Sequence, residues 1–246
     1  VFKIGIISTA DIARKVCDAI HKSGVAIPYA VGSRDLKKFV LRKLHLLLTH
    51  FVPLLFHLTQ FFITLLKAEE FAAANKITKA YGSYQAVIDD PEIQAIYVPL
   101  PTVYRTEWCL KAAQAGKAIL CDKPILNAKD AKEIVDACVK HNVHYMDNTM
   151  WMHHTRTHTV KQLLKLDENY AKNPIGKICR VSASFSINIL AKPGNIRWNA
   201  QVGTLFLTIF FSKIFQKEPY GCIGDLAWYT SRAILWVYDY ELPTTV

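Results

Sequence analysis

The chain has 246 residues, 51% hydrophobic and 20% charged. That balance excludes a disordered or low-complexity protein and allows one large domain or two small ones. Thirty basic and 20 acidic residues give a net charge of +10, but no aromatic-interleaved basic stripe collects it, so nucleic acid is not an expected partner.

Lys3–Ser8 is a short apolar run that ends in small residues and reads as a strand. Apolar positions at Ile12, Val16, Ala19 and Ile20 predict a helix, which Gly24 ends before a second strand over Val25–Ser33. Further along, Ala68–Asn75 reads as helix, Ile77–Tyr81 as strand, Ser83–Ile88 as a short helix and Ile93–Leu100 as a buried strand. A helix over Glu107–Ala115 closes at Gly116, and Ala118–Cys121 is the next strand. Asn127 caps a helix with Ala131, Ile134, Val135 and Cys138 on its apolar face, before a strand at Val143–Met146. Strands alternating with helices predict a doubly wound parallel α/β sheet over residues 1–148. The rhythm then changes. A helix at Thr155–Lys165, an alternating strand at Lys177–Asn188 and a helix at Asp225–Val237 predict an α+β domain over 149–246, its sheet unfinished at Val246.

Two segments interrupt this pattern. Phe39–Lys67 and Val202–Gln216 hold nine of the 12 phenylalanines and none of the acidic residues. We read both as translated retained introns, because uracil-rich noncoding RNA yields such residues; transcripts that all keep both segments uninterrupted would count against it. The competing reading is a membrane anchor, since Leu44–Leu66 is long enough to span a bilayer. That stretch contains His45, His50, Pro53, His57 and Gln60, and it begins inside a unit whose next strand must return to the sheet. A membrane partner is therefore not expected.

The six cysteines, at 17, 109, 121, 138, 179 and 222, form no CxxC pair. Reduced thiols and a cytoplasmic setting are expected, rather than a zinc site or a disulfide framework. The start at Val1 shows neither an initiator methionine nor the pattern of a secretory leader, so a fragment without a signal is expected.

Gly5, Ser8, Thr9, Ala10, Asp11, Ile12 and Ala13 span the first strand–helix turn, where main-chain N–H groups can hold a pyrophosphate. Only the first glycine of a GxGxxG pattern is present, and a ligand-free tight turn explains the residues equally well. Ser33 and Arg34 end the second strand without the carboxylate that would bind a free ribose, a pairing suited to the 2′-phosphate of NADP, the alternative being a solvated Arg34 beside Asp35. Pro99, Leu100 and Pro101 follow the fourth strand, and Asp122, Lys123 and Pro124 follow the fifth, both at strand carboxyl ends. A lysine there can orient a substrate hydroxyl or stabilise alkoxide charge. His153, His154 and His158 lack a companion glutamate or cysteine, so no metal is expected.

Gly5–Ala13, Ser33-Arg34, Tyr97–Thr102, Asp122–Pro124, Asp147–His154 and Gly224–Tyr229 occur in the order of one family. In these motifs the chain resembles the glucose–fructose oxidoreductase/inositol dehydrogenase (Gfo/Idh/MocA) family. It looks most like the branch of NADP-dependent D-xylose 1-dehydrogenases and trans-1,2-dihydrobenzene-1,2-diol dehydrogenases. The resemblance implies a Rossmann domain over 1–148 and a partial substrate and dimerisation domain over 149–246. It implies hydride transfer between the nicotinamide of NADP and a sugar or cyclic diol. Lys123, Tyr229 and Asp225 would be catalytic: Tyr229 as proton donor or acceptor beside Lys123, Asp225 as holder of the substrate hydroxyl. Trp151 would lie against the nicotinamide. Relatives form homodimers through the open sheet face, much of which this chain lacks. Arg105 stands where the branch commonly has histidine, Asp122 where the family has glutamate, and Asn148 where relatives have glycine. An inactive nucleotide-binding fragment is the alternative reading.

Overall fold

The computed structural model describes residues 1–33, 64–164, 178, 180–186 and 221–242. The chain divides into two compact units, Val1–Asp147 and Asn148–Val246.

In the first unit the strands are β1 (Phe2–Ile6), β2 (Ala26–Gly32), β3 (Lys79–Tyr81), β4 (Ala95–Val98), β5 (Ala118–Cys121) and β6 (Tyr145–Asp147). The helices are α1 (Asp11–Ser23), α2 (residues 64–74), α3 (Tyr84–Asp89), α4 (Thr102–Gln114) and α5 (Ala128–Lys140). The strands form one six-stranded sheet in the order β3-β2-β1-β4-β5-β6, and every pairing is parallel. The chain reverses direction across the sheet between β1 and β4, where a doubly wound sheet opens its crevice.

Alternate residues of the central strands feed two cores. Ile96 and Val98 of β4 pack with Val87 and Ile88 of α3, Cys109 and Ala112 of α4, and Ile134 of α5. Tyr97, between them, turns to the opposite face with Ile6 and Val31, against Ala13 and Cys17 of α1 and Ala68 and Phe71 of α2. A strand buried on both faces reads as a continuous apolar run, which is why β4 was legible. The α1 stripe differs from the sequence reading: Ala13, Cys17 and Ile20 are buried and Ala19 is exposed. Small Ala13 and Cys17 let the helix sit close to the sheet.

Two further boundaries differ. α4 starts at Thr102 rather than Glu107, because Pro101 occupies the capping position and a proline at a helix start loses no needed N–H. The helix that contains Ala68 already includes Thr64–Lys67, the last residues assigned to the phenylalanine-rich segment. Thr64 is 4% exposed, and its hydroxyl donates to the Gly82 carbonyl at 3.3 Å. The rest of that segment, most of Leu44–Leu66 and all of Val202–Gln216 lie outside the described residues. Among the described residues no helix is long and apolar enough to cross a membrane.

At the amino-terminal edge of the sheet, one carboxylate joins three strands. Glu92 accepts from Lys3 Nζ at 2.6 Å, Lys79 Nζ at 2.7 Å and Tyr29 Oη at 2.5 Å. A bulge in β2 helps: the register passes from Ile4↔Pro28 to Gly5↔Ala30, leaving Tyr29 as the extra residue. The bonds from Lys3, Lys79 and Tyr29 hold the Glu92 carboxyl down at about 2. Its folded value lies below the unfolded glutamate value of about 4.3, so the stabilisation is present above that value and lost as pH falls through about 2. In denaturant titrations across that window, wild type is expected to lose its advantage over Glu92→Gln; a pH-independent difference would refute the linkage.

In the second unit a 3₁₀ turn at Met150–His153 leads into α6 (Thr155–Leu164), and α7 spans Gly221–Val237. The strand expected over Lys177–Asn188 is not formed where it can be described: residues 180–186 carry no pairing. A strand exists only through a partner, and the described part of this unit supplies none.

Candidate active site

The carboxyl ends of four adjacent strands bring most of the expected residues to one edge. Ser33 follows β2, Ser8–Ala10 follow β1, Pro99–Pro101 follow β4, and Asp122 and Lys123 follow β5. Three strand spacings separate the first from the last, about 14 Å. Arg34 lies outside the described residues.

At the β1 end, Ser8 Oγ accepts from the Ala10 N–H at 3.1 Å and closes the turn into α1. Ala10 caps α1 with extended backbone and no side-chain bond, leaving the first-turn N–H groups without that competitor. A first turn of this kind, flanked by small Ser8, Thr9 and Ala10, fits a pyrophosphate; the Asp11 carboxylate at the same turn is exposed. Ile12 is half-buried one position on. Gly5 has a different local reason. It lies within β1, where a Cβ would meet Val87 Cγ1 at 2.6 Å and Ile93 Cδ1 at 2.9 Å. Its bareness serves the packing of α3 on the sheet. Ser33 is 5% exposed, and its N–H donates to the Tyr81 carbonyl at 3.1 Å.

At the β4 and β5 ends, Tyr97 Oη donates to Asp122 Oδ1 at 3.1 Å. The last main-chain bond of the pair runs from Asp122 N–H to the Val98 carbonyl at 3.3 Å. Lys123 is half-buried and is joined to Pro124 by a cis peptide bond. Arg105 is 7% exposed; its Nε donates to the Leu100 carbonyl at 2.6 Å and its Nη1 donates to the Pro124 carbonyl. The sequence reading noted Arg105 only as a departure; Tyr97 and Arg105 are the site-building residues it missed. An arginine in the first turn of a helix that opens on Pro-x-Pro is the signal that could have found the second.

In the second unit Trp151 packs edge-on to Trp236, ring centroids 5.5 Å apart, and its buried Nε1 has no hydrogen-bond partner among the described residues. Trp228 Nε1 donates to Thr149 Oγ1 at 2.8 Å. Tyr229 lies 5.0 Å from the ring of Phe185. Asp225 is one turn before Tyr229 in α7, so the two positions share a helix face. His153, His154 and His158 are exposed, and among the described residues no three His, Cys, Asp or Glu are gathered to hold a metal. Cys17, Cys109, Cys121 and Cys138 are free and buried; burial pushes the Cys17 thiol up to about 11.

Residues 37–149 match the model of an oxidoreductase family with an NAD-binding Rossmann fold. Over those residues, a little under half of its length, the chain is similar to the Gfo/Idh/MocA oxidoreductases. It is 34% identical over 138 residues to a dTDP-3,4-didehydro-2,6-dideoxy-alpha-D-glucose 3-reductase of Saccharopolyspora spinosa, covering 56% of this chain and 39% of the relative. A trans-1,2-dihydrobenzene-1,2-diol dehydrogenase of Danio rerio is 26% identical, with 73% and 47% covered. A D-xylose 1-dehydrogenase (NADP(+)) of Haloferax volcanii is 30% identical, with 49% and 35% covered. Among solved structures, the 3-ketoreductase KijD10 of Actinomadura kijaniata, in complex with NADP and TDP-benzene, shares the fold. Its TM-score is 0.52 at 23% identity, covering 66% of this chain and 42% of that one. The chain spans less than half the length of these curated relatives. The expected family resemblance holds, and relatives acting on sugars and on dihydrodiols both stand among the matches.

Proposed function

We propose that this chain binds NADP along the carboxyl edge of its sheet and serves hydride transfer to or from a sugar or a cyclic diol. The observation that carries the reading is the placement of Ser33, Ser8–Ala10, Pro99–Pro101 and Lys123 along one edge of a sheet ordered 3-2-1-4-5-6. Bound NADP would supply the hydride carrier. Ser33 and Arg34 would hold its 2′-phosphate, and the first turn of α1 its pyrophosphate. Lys123 would orient the reacting oxygen and stabilise the negative charge that develops on it. Tyr229 would exchange a proton at that oxygen, and Asp225 would hold a neighbouring substrate hydroxyl. Trp151 would pack against the nicotinamide side.

The names of the dihydrodiol and xylose relatives support the substrate class, and NADP in the xylose relative's name supports the cofactor. Fluorescence titration tests the cofactor directly. NADPH is expected to bind at least about tenfold more tightly than NADH, the scale of one charge-assisted contact, and Arg34→Ala is expected to bring the two together. Equal affinities in wild type would refute the NADP assignment.

A second reading is an inactive nucleotide-binding fragment. It is favoured by the absence of strand pairing at residues 180–186. NADPH binding without turnover of D-xylose or the trans-dihydrodiol would select it. We propose a cytoplasmic protein with small-molecule partners; gel filtration tests the homodimer implied by the resemblance.

A further inference from the structure

We propose that Arg105 is the positioning residue for Lys123, fastening the loop after β5 to the loop after β4. The inference rests on the reading of Lys123 as the lysine that meets substrate.

The β4–β5 ladder ends at Val98↔Cys121, with one further bond from Asp122 N–H to the Val98 carbonyl. Beyond that point the two loops are Pro99-Leu100-Pro101 and Lys123-Pro124. Their three prolines have no N–H, so the main chain has few donors with which to continue the ladder. Carbonyls remain, and they face a side chain instead. Arg105 is the fourth residue of α4 and donates to Leu100 in one loop and to Pro124 in the other. One rigid planar group therefore bridges two strand ends, extending the sheet by a side chain.

Burying a guanidinium is costly unless its donors are satisfied, so the group is held where both carbonyls are. The prolines keep each loop internally stiff by fixing φ. What remains free is the placement of one loop against the other, and that is what Arg105 sets. Lys123 is the residue next to one of the two anchored carbonyls. A lysine at 105 could not replace the function, because an ammonium on a flexible stem lacks the planar fork.

The test uses the full chain and two variants, Arg105→Ala and Arg105→Lys. Lysines are reductively methylated with ¹³C-formaldehyde, and the Lys123 resonance is identified by its loss in Lys123→Arg. Both Arg105 variants are expected to unfold cooperatively while the Lys123 signal shifts or broadens. Adding guanidinium ion to Arg105→Ala is expected to restore the signal, and NADPH affinity is expected to fall about tenfold in both variants. An unchanged Lys123 signal in a folded variant would overturn the proposal. So would failure of both variants to fold, since Arg105 would then be a general core residue. If wild type binds no NADPH, the proposed function fails, but the Lys123 signal still decides the role of Arg105.

Discussion

Lys123→Met is expected to lower turnover by about 10²–10⁴-fold, the range for removing a positioned acid–base group, and to weaken NADPH binding far less. Methionine keeps the length of the stem and removes the charge. The half-buried side chain therefore keeps most of its packing, while the oxygen it would orient loses its donor. Initial rates with D-xylose and with the trans-dihydrodiol, set beside NADPH titration, separate the two effects. A variant as active as wild type would remove Lys123 from the chemistry and, with it, the reason to treat the β5 end as the reacting end.

The second large effect is on stability, and it divides two glycines that look alike in the sequence. A Cβ at Gly5 would meet Val87 Cγ1 at 2.6 Å, whereas one at Gly32 would meet both Val87 Cγ2 and the Ser83 main-chain oxygen at 2.7 Å. Gly5→Ala and Gly32→Ala are each expected to cost about 1–3 kcal/mol through overpacking. Val87→Ala should recover much of the Gly5→Ala loss, because side-chain atoms make the closest clash. It should recover little at Gly32, where the obstacle includes backbone. Chemical denaturation of the single and double variants gives the coupling directly. Equal rescue at both positions would show that α3 slides as a whole and that the Ser83 contact is not a fixed stop. Because Gly32 precedes Ser33, its alanine variant is also the one expected to disturb the adenosine end of the edge.

Parallel strands covered on both faces declare themselves as short apolar runs, so β1, β4 and β5 were readable within a residue or two. Helix faces were less so. In α1 the small Ala13 and Cys17 carry the contact, and a reading that weights Ile12, Val16 and Ala19 rotates the helix away from it. Pro-x-Pro reads as a break, although Pro101 is where α4 begins. The bulge at Tyr29 leaves no periodic trace, because one extra residue only changes which partner each neighbour faces. The site divides in the same way. Residues fixed to strand ends, such as Ser33 and Asp122, followed from the alternation itself. Arg105 did not, since a buried cation whose partners are carbonyls depends on where two distant loops meet. Residues 180–186 show the opposite failure: alternation alone predicts a strand, and pairing is the non-local part that sequence cannot supply.

Helix α2 carries its buried stripe through Thr64, Ala68, Phe71 and Ala72, a spacing of one and two turns. Thr64 thus belongs to the folded helix, four residues before the change in composition after Lys67. If the phenylalanine-rich stretch is unspliced noncoding message, its acceptor junction lies upstream of the Thr64 codon, inside a stretch whose amino-acid composition gives no hint of a border.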